Sequence, residues 1–425
     1  MATHPRVVII GAGFAGLACA HQLGRQGVPV TLIDRANYHL FVPLLYQVAT
    51  AALSPADIAR PIRRILSRYE TVDVMMGEVV GVDRTTCTVQ LEDGTKLPYG
   101  RLVIAAGSKY SYFGHDEWAR FAVGPRNLEE ARTIRTQLLS AFERAEVAAT
   151  DKERDTLMTT IVVGGGPTGV EMAGSIAELA RHALARDFRH IDPRRARILL
   201  VEAGPRILAA FPEKLADYAR GAIERLGVTV MTGQAVESIE AGAATIAGRR
   251  IAAGTIIWGA GVKASDAGRW LDVERAKDGR VPVNPDLSVK GAEDIFILGD
   301  MALCADKAGA PLPALAQVAK QQGIHLGKSL GANLLRGTPL MPFQFHNRGN
   351  TAIIGRNAAV FDFGWMQLKG RLAWFLWAFV HVYLLVGFEN RLRVCVQWAW
   401  RYLTYENGAR LIMPPCDGEQ GKEKA

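Results

Sequence analysis

Cysteine is scarce in this 425-residue chain: Cys19, Cys87, Cys304, Cys395 and Cys416 are scattered, and no two form a Cys-x-x-Cys pair. That spacing excludes a disulfide framework and a thiolate zinc site, so no metal centre is expected. It fits thiols used as small apolar fillers in a reducing compartment. Long basic blocks and basic-aromatic modules are missing as well, so the net charge of +8 carries no nucleic-acid signature. It fits basic patches on an enzyme or attraction to anionic lipid. The most apolar stretch of the tail, residues 372–388, is 17 residues long and interrupted by His381 and Gly387. A spanning helix needs ~20 residues, so this run sits at the short edge. The first strand begins at Arg6 and leaves no space for a signal or transit peptide, so the chain is expected to stay where it is made. No EF-hand loop is present, which argues against calcium regulation.

What is present is organised around residues 6–34. Arg6-Val7-Val8-Ile9-Ile10 is a β-branched run that reads as a buried strand. It ends in Gly11-Ala12-Gly13-Phe14-Ala15-Gly16, after which Leu17, Ala20 and Leu23 share one helical face. A second strand, 29–33, stops at Asp34, with Arg35 beside it. Gly11 permits a tight turn, Gly13 lets backbone approach a pyrophosphate, and Gly16 lets helix and strand pack closely. The helix N-terminus supplies free N–H groups and a positive dipole end for that pyrophosphate. Asp34 stands 21 residues after Gly13, where a carboxylate holds ribose hydroxyls. A glycine turn alone joins strands to helices in many folds; strand, helix and acid together make it a dinucleotide site.

Residues 37–46 are aromatic-rich with one proline, and Ser54-Pro55-Ala56-Asp57 opens a helix. Residues 72–88 and 95–102 alternate like strands around the turn Glu92-Asp93-Gly94. Residues 102–108 form a buried strand that ends in small residues. Either the chain returns there beside a cofactor at Ala106 and Gly107, or the strand simply ends in a turn. A helix over 128–148 leads to a second copy of the opening unit. Its parts are strand 160–163, the turn Gly164-Gly165-Gly166-Pro167-Thr168-Gly169, helix 170–180, strand 197–201 and Glu202. The charged stretch 185–195 reads as a helix extension plus loop. Glu202 accepts hydrogen bonds from a free ribose 2′-OH and repels a 2′-phosphate, which favours NADH over NADPH. Residues 255–261 close this unit at Gly261. Two complete units imply two bound dinucleotides. Strand 294–298 then ends in Gly299-Asp300, and 314–330 reads as a helix. In a two-nucleotide flavoprotein this Asp meets the ribityl chain and the helix points its positive end at the flavin.

At this point the chain resembles the type II NADH dehydrogenases, single-subunit, non-proton-pumping NADH:quinone oxidoreductases. The matching stretches are 11–16, 37–46, 164–171, 299–300, Ala316-Gln317-Val318-Ala319-Lys320-Gln321-Gln322 and 370–393. The glycine motifs belong to the wider two-nucleotide superfamily; the glutamine helix and the aromatic tail discriminate. The resemblance implies FAD held by Gly11, Gly13, Phe14, Ala15, Gly16, Asp34, Arg35, Ala106, Gly107, Asp300, Ala316 and Gln317. It implies NADH held by Gly164, Gly166, Pro167, Thr168, Gly169, Glu171, Glu202 and Gly261. Gln317 and Gln321, four apart on one face, would lie where isoalloxazine meets quinone, offering amides without charge. An exposed glutamine face on a good helix former fits the same residues. Glu171 is implied near the nicotinamide and quinone end, for quinone positioning or proton supply; a carboxylate favoured by the helix dipole is the plainer account. The hydride chemistry belongs to the cofactor. The segment 41–46 lacks a Cys-x-x-x-x-Cys pair, which argues against disulfide reduction, and the sparse thiols weigh against sulfide:quinone chemistry.

Five of the eight tryptophans (365, 374, 377, 398 and 400) fall in the tail. Tryptophan and arginine beside an apolar face suit a helix lying in a lipid interface. A buried helix pair and a homodimer seam fit the same pattern; the family resemblance favours the membrane surface. His381 reads as a packing or interfacial residue rather than a ligand, and 416–425 as a polar, disordered end. The expected architecture is α/β, with two Rossmann-like dinucleotide-binding domains and a C-terminal amphipathic-helical membrane-anchoring region. The FAD domain takes 1–115 and 275–335, the NADH domain 116–274, and the membrane-association region 336–425. The function read from this is NADH oxidation with reduction of a membrane quinone, ubiquinone or menaquinone, at the cytoplasmic face of the cell membrane. A soluble ferredoxin- or rubredoxin-type reductase and an NADH-sensing flavoprotein are the alternatives.

Overall fold

A computed structural model describes residues 6–385, 388–404 and 409–412. The end expected to be disordered, 416–425, lies outside them, as does part of the apolar run 372–388. The chain forms two compact units. The first comprises Met1–Leu40, Ala59–Ser111 and Val262–Arg348, and the second Phe41–Ile58, Tyr112–Gly261 and Gly349–Ala425.

In the first unit the β-branched runs assemble a parallel sheet. Its strand order is Ala292–Ile297, Arg101–Ile104, Val7–Ile10, Val30–Asp34, Val72–Met76, with Ser288–Val289 added antiparallel at one edge. Val7–Ile10 and Arg101–Ile104 lie inside the sheet, buried on both faces, which is why they read as continuous apolar runs rather than alternating ones. Helix Phe14–Arg25 buries Leu17, Ala20 and Leu23 as its spacing requires. The helix Ala316–Arg336 lies along it backbone to backbone. A Cβ on Gly323 would stand 2.1 Å from the Ala15 carbonyl oxygen, and one on Gly327 2.7 Å from that of Cys19. Cys19 is fully buried there, and burial pushes its thiol up to about 12, so it is an inert filler. This helix starts two residues later than 314 and runs on to Arg336, where Gly337 takes a left-handed conformation and ends it.

In the second unit the parallel order is Val228–Thr232, Arg197–Glu202, Thr159–Val163, Thr255–Trp258. Helix Leu128–Glu146 opens on a capping box between Asn127 and Glu130. Helix Pro167–Glu178 continues only through a π turn, Leu179–Ala183. The extension expected over 185–195 is therefore absent, because the Glu146 carboxylate collects the backbone N–H groups of Arg189, His190 and Ile191. Three antiparallel strands follow near the C-terminus, Asn350–Gly355, Ala358–Asp362 and Gln367–Gly370, then helices Arg371–Leu384 and Phe388–Thr404. Among the described residues no helix is long and apolar enough to cross a membrane.

The expected domain limits differ from these units at four places, the smallest being 112–115, which fall in the second unit. Residues 262–274 fall in the first unit, where Val262–Ala264 pairs antiparallel with Ser108–Tyr110. Residues 41–58 fall in the second unit; the helix opened by Ser54 lasts only Pro55–Ile58, because Ala59–Pro61 turns to pair with Tyr38–Leu40. Residues 336–348 stay with the first unit, where side chains of helix Ala316–Arg336 hold residues 338–348.

Candidate functional site

The two glycine turns are built alike. Gly11 and Gly164 have φ of 96° and 106°, and each lies against a neighbouring strand's end, where a Cβ would meet backbone at 2.4 and 2.7 Å. Gly16 and Gly169 press on the first glycine of their own turn, with the Cβ position 1.8 and 1.7 Å from its carbonyl oxygen. Gly13 and Gly166 differ: a Cβ on either would meet nothing within 4 Å, and both have extended backbone any residue could adopt. No protein contact demands glycine there, so the space fits a group from outside the chain. These two glycines are also the N-caps of their helices, and neither helix has a side-chain cap, so the first N–H groups point into that space.

The acids repeat as well. Asp34 accepts from Ala12 N–H at 2.6 Å and Ala36 N–H at 2.8 Å. Glu202 accepts from Gly165 N–H at 2.5 Å and Gly204 N–H at 2.6 Å. Each carboxylate is fixed at the lip of its turn with lone pairs left for ribose hydroxyls. Phe14 and Ala15 open the first helix, Pro167 and Thr168 the second, and Arg35 is exposed beside Asp34. Ala106 and Gly107 follow strand Arg101–Ile104 at the same end of the sheet as Gly11. Gly261, with φ of 66°, has its Cβ position 2.5 Å from the Phe113 ring, so packing also accounts for that glycine.

Asp300 is held by Ser108, whose hydroxyl donates to it, and Gly299 N–H donates to Gln322 Oε1 at 2.7 Å. Gln322 is 1% exposed. Together with buried His39, whose Nδ1 meets the Ala12 carbonyl at 2.8 Å, these residues shape the site and escaped the sequence reading. Gln322 stood in the quoted motif, one position from the residue chosen. Gln317 and Gln321 do share a face, and they spend hydrogen bonds on the chain's own backbone. Gln317 accepts from Arg348 N–H at 3.1 Å; Gln321 exchanges two bonds with His346, at 2.9 and 3.0 Å. His325 and Ser329, four and eight residues on, meet Met341 in the same way. The helix thus staples residues 338–348 along one side, and Gln321 retains a single amide hydrogen for any other acceptor.

Glu171 lies in the second unit, in the wall of a cavity open to solvent. One face of helix Pro167–Glu178 and its π turn supplies Glu171, Ser175, Glu178 and His182; strand Asn350–Gly355 supplies Ile353, Ile354 and Gly355. Tyr46 and Gln47 come from helix Leu45–Ala49, and Trp374, Trp377 and Trp398 from the tail helices. Burial pushes the Glu171 carboxyl up to about 8, against an opposing hydrogen bond from Ile353 N–H at 3.4 Å. It is therefore largely protonated at neutral pH and can serve as an acid. Trp398 Nε1 donates to Gln47 Oε1 at 3.0 Å, while Trp377 is 2% exposed and its Nε1 has no hydrogen-bond partner among the described residues. An aromatic cavity with a few polar groups suits a planar, uncharged ligand carrying carbonyls.

The tail helices present two faces each. Ala373, Trp377 and His381 are buried, and the His381 ring packs at a tilt against Trp377 with its Nδ1 donating to the Trp377 carbonyl at 2.8 Å. Of the packing and interfacial roles expected for it, its burial fits packing. Leu372, Phe375, Phe379 and Tyr383 form an exposed stripe on the opposite side, and Leu392, Val396 and Trp400 another on helix Phe388–Thr404.

Two family models match the chain, pyridine nucleotide-disulphide oxidoreductase over residues 5–323 and the NDH2 C-terminal domain over 347–405. The type II NADH:quinone oxidoreductase Ndh of Mycobacterium tuberculosis is 40% identical over 96% of this chain and 90% of its own. A second protein of that organism, NdhA, is 39% identical over 96% and 89%. The fold matches that of NDH2 from Plasmodium falciparum in complex with NADH, with a TM-score of 0.88 at 20% identity, covering 97% of this chain and 100% of that one.

Proposed function

Because the chain belongs to the type II NADH:quinone oxidoreductases, we propose that it oxidises NADH through FAD and reduces a membrane quinone, without pumping protons, in a respiratory chain. The observation that carries this reading is the duplicated nucleotide turn, alike down to the hydrogen bonds of its acid, in a chain whose relatives bear that name. Bound FAD supplies a two-electron carrier that takes hydride from NADH and reduces quinone. The chain's own residues bind, orient and provide protons. Gly13 with the N-terminus of helix Phe14–Arg25 receives the FAD pyrophosphate, Asp34 its ribose, and Asp300, aligned by Ser108 and Gln322, its ribityl chain. Gly166 and Glu202 do the same for NADH, and Glu202 excludes the 2′-phosphate of NADPH. The second-unit cavity takes the quinone ring among its tryptophans, with Glu171 as proton donor. Gln317 and Gln321 act chiefly by fixing the segment 338–348.

The enzyme is a peripheral one that rests on the cytoplasmic face of the membrane through the exposed stripes of its tail helices. Stripes of large apolar side chains on two consecutive helices exceed what a lone surface residue needs, and lipid covers them. A soluble ferredoxin-type reductase has no use for them. A homodimer joined through the same stripes is the competing occupant.

The test is Glu171→Gln in a rapid-mixing experiment. Reduction of the flavin by NADH should be unchanged, and its reoxidation by a soluble quinone should slow by about a hundredfold, the lower range for loss of an acid catalyst. In the parent protein reoxidation should fall as pH rises through about 8, since the carboxyl then loses its proton, and the variant should lack that limb. Equal slowing of both steps would refute the assignment.

A further inference from the structure

Oxidation of NADH by a quinone gives NAD⁺ and quinol and takes up one proton per turnover: NADH supplies a hydride, the quinol carries two hydrogens, and the second comes from water. Glu171 can give that proton once, and then must be recharged. Glu171 is half-buried in the wall of the cavity, so its recharging runs through the cavity.

The second unit contains a path for it. Glu171, Ser175, Glu178 and His182 are spaced four, three and four residues apart, which sets them on one face of helix Pro167–Glu178 and its π turn, and all four line the cavity. Glu171 and Glu178 are half-buried, Ser175 between them is buried and His182 is exposed, so the row opens to solvent at its His182 end. The row is fixed by the strand it faces. Gly174 brings helix and strand together, its Cβ position 1.8 Å from the Ile354 carbonyl oxygen. Glu171 then accepts from Ile353 N–H and Glu178 from Arg356 N–H. Seven helical residues rise ~10.5 Å and three strand residues span ~10 Å, so the two carboxylates match the two N–H groups. Gly355 makes room for the second, since a Cβ there would lie 3.0 Å from Glu178 Oε1. At ~10 Å the carboxyls cannot touch, and the cavity gives space for bridging water.

Ser175 is not a carrier. Thr50 Oγ1 donates to the Tyr46 carbonyl, so the 2.7 Å Ser175–Thr50 bond takes the Ser175 proton and leaves its lone pairs to orient water. The other charged or titratable groups on the described wall are Tyr46 on helix Leu45–Ala49 and Arg356 after strand Asn350–Gly355; the tail helices contribute only tryptophans.

We propose that His182 and Glu178 carry protons from solvent to Glu171 along this helix face, to complete quinol formation. The proposal rests on the cavity being the quinone site. Its test is Glu178→Gln, which keeps the acceptor for Arg356 N–H, and His182→Gln, in rapid-mixing runs across pH beside Glu171→Gln. Reoxidation by soluble quinone should slow about tenfold in both, below the loss for a direct acid catalyst, with flavin reduction by NADH unchanged. Added imidazole should restore His182→Gln, which a structural defect would not allow. If Glu171→Gln slows reoxidation but the other two do not, the path is wrong and the quinone site stands. If none of the three changes reoxidation, both fail.

Discussion

Gly13 and Gly166 are the residues at which protein and cofactor can be told apart. Gly11, Gly16, Gly164 and Gly169 are each required by backbone pressed against them, and an added methyl there would act on the fold. At these two positions a methyl would meet no protein atom. Gly13→Ala should therefore fold with unchanged thermal stability and purify with less bound flavin. Gly166→Ala should raise the KM for NADH roughly tenfold, about 1.4 kcal/mol of binding, with flavin content intact. Visible absorbance and melting curves check both, and a variant that loses stability would show that the glycine serves packing. The glycine spacing was legible in the sequence because it follows from backbone geometry alone. Gln322 and Ser108 were not, because each acts on Asp300 or its neighbour across 23 to 192 residues of chain.

At the scale of elements, periodicity carried the reading where one helix face alone decides. Helix Phe14–Arg25 and the parallel strands follow from it directly. It was insufficient for the tail. Residues 372–388 read as one apolar run, and only packing divides them into a buried face, Ala373, Trp377 and His381, and an exposed one, Leu372, Phe375, Phe379 and Tyr383. The exposed stripe is what lipid would cover. Replacing Phe375 and Phe379 with Glu should abolish sedimentation with anionic vesicles while leaving NADH oxidation by a soluble quinone intact. Retained vesicle binding would assign the stripe to a protein contact instead. The row from Glu171 to His182 was also open to periodicity, since its four residues stand at helical spacing in the sequence. What the sequence lacked was the strand Asn350–Gly355, nearly two hundred residues away, which turns that face into the wall of a cavity. The stapled segment 338–348 was hidden for the same reason: glutamines that suit a ligand suit backbone equally well.

Over the whole molecule, the chain combines a flavin-type unit and a nicotinamide-type unit of closely similar construction with a tail that neither needs for nucleotide binding. Strand pairs such as Ser108–Tyr110 with Val262–Ala264 join segments far apart in the chain, a pairing that local sequence pattern does not encode. The central claim is that electrons pass from NADH to a quinone by way of the bound flavin. Anaerobic addition of NADH to the purified holoprotein, then of a soluble quinone, with flavin absorbance followed throughout, tests it most directly. The account predicts bleaching by NADH, little bleaching by NADPH, and rapid recovery with quinone. Bleaching without recovery would contradict the quinone assignment, and absence of bleaching would contradict the nucleotide assignment that begins at Glu202.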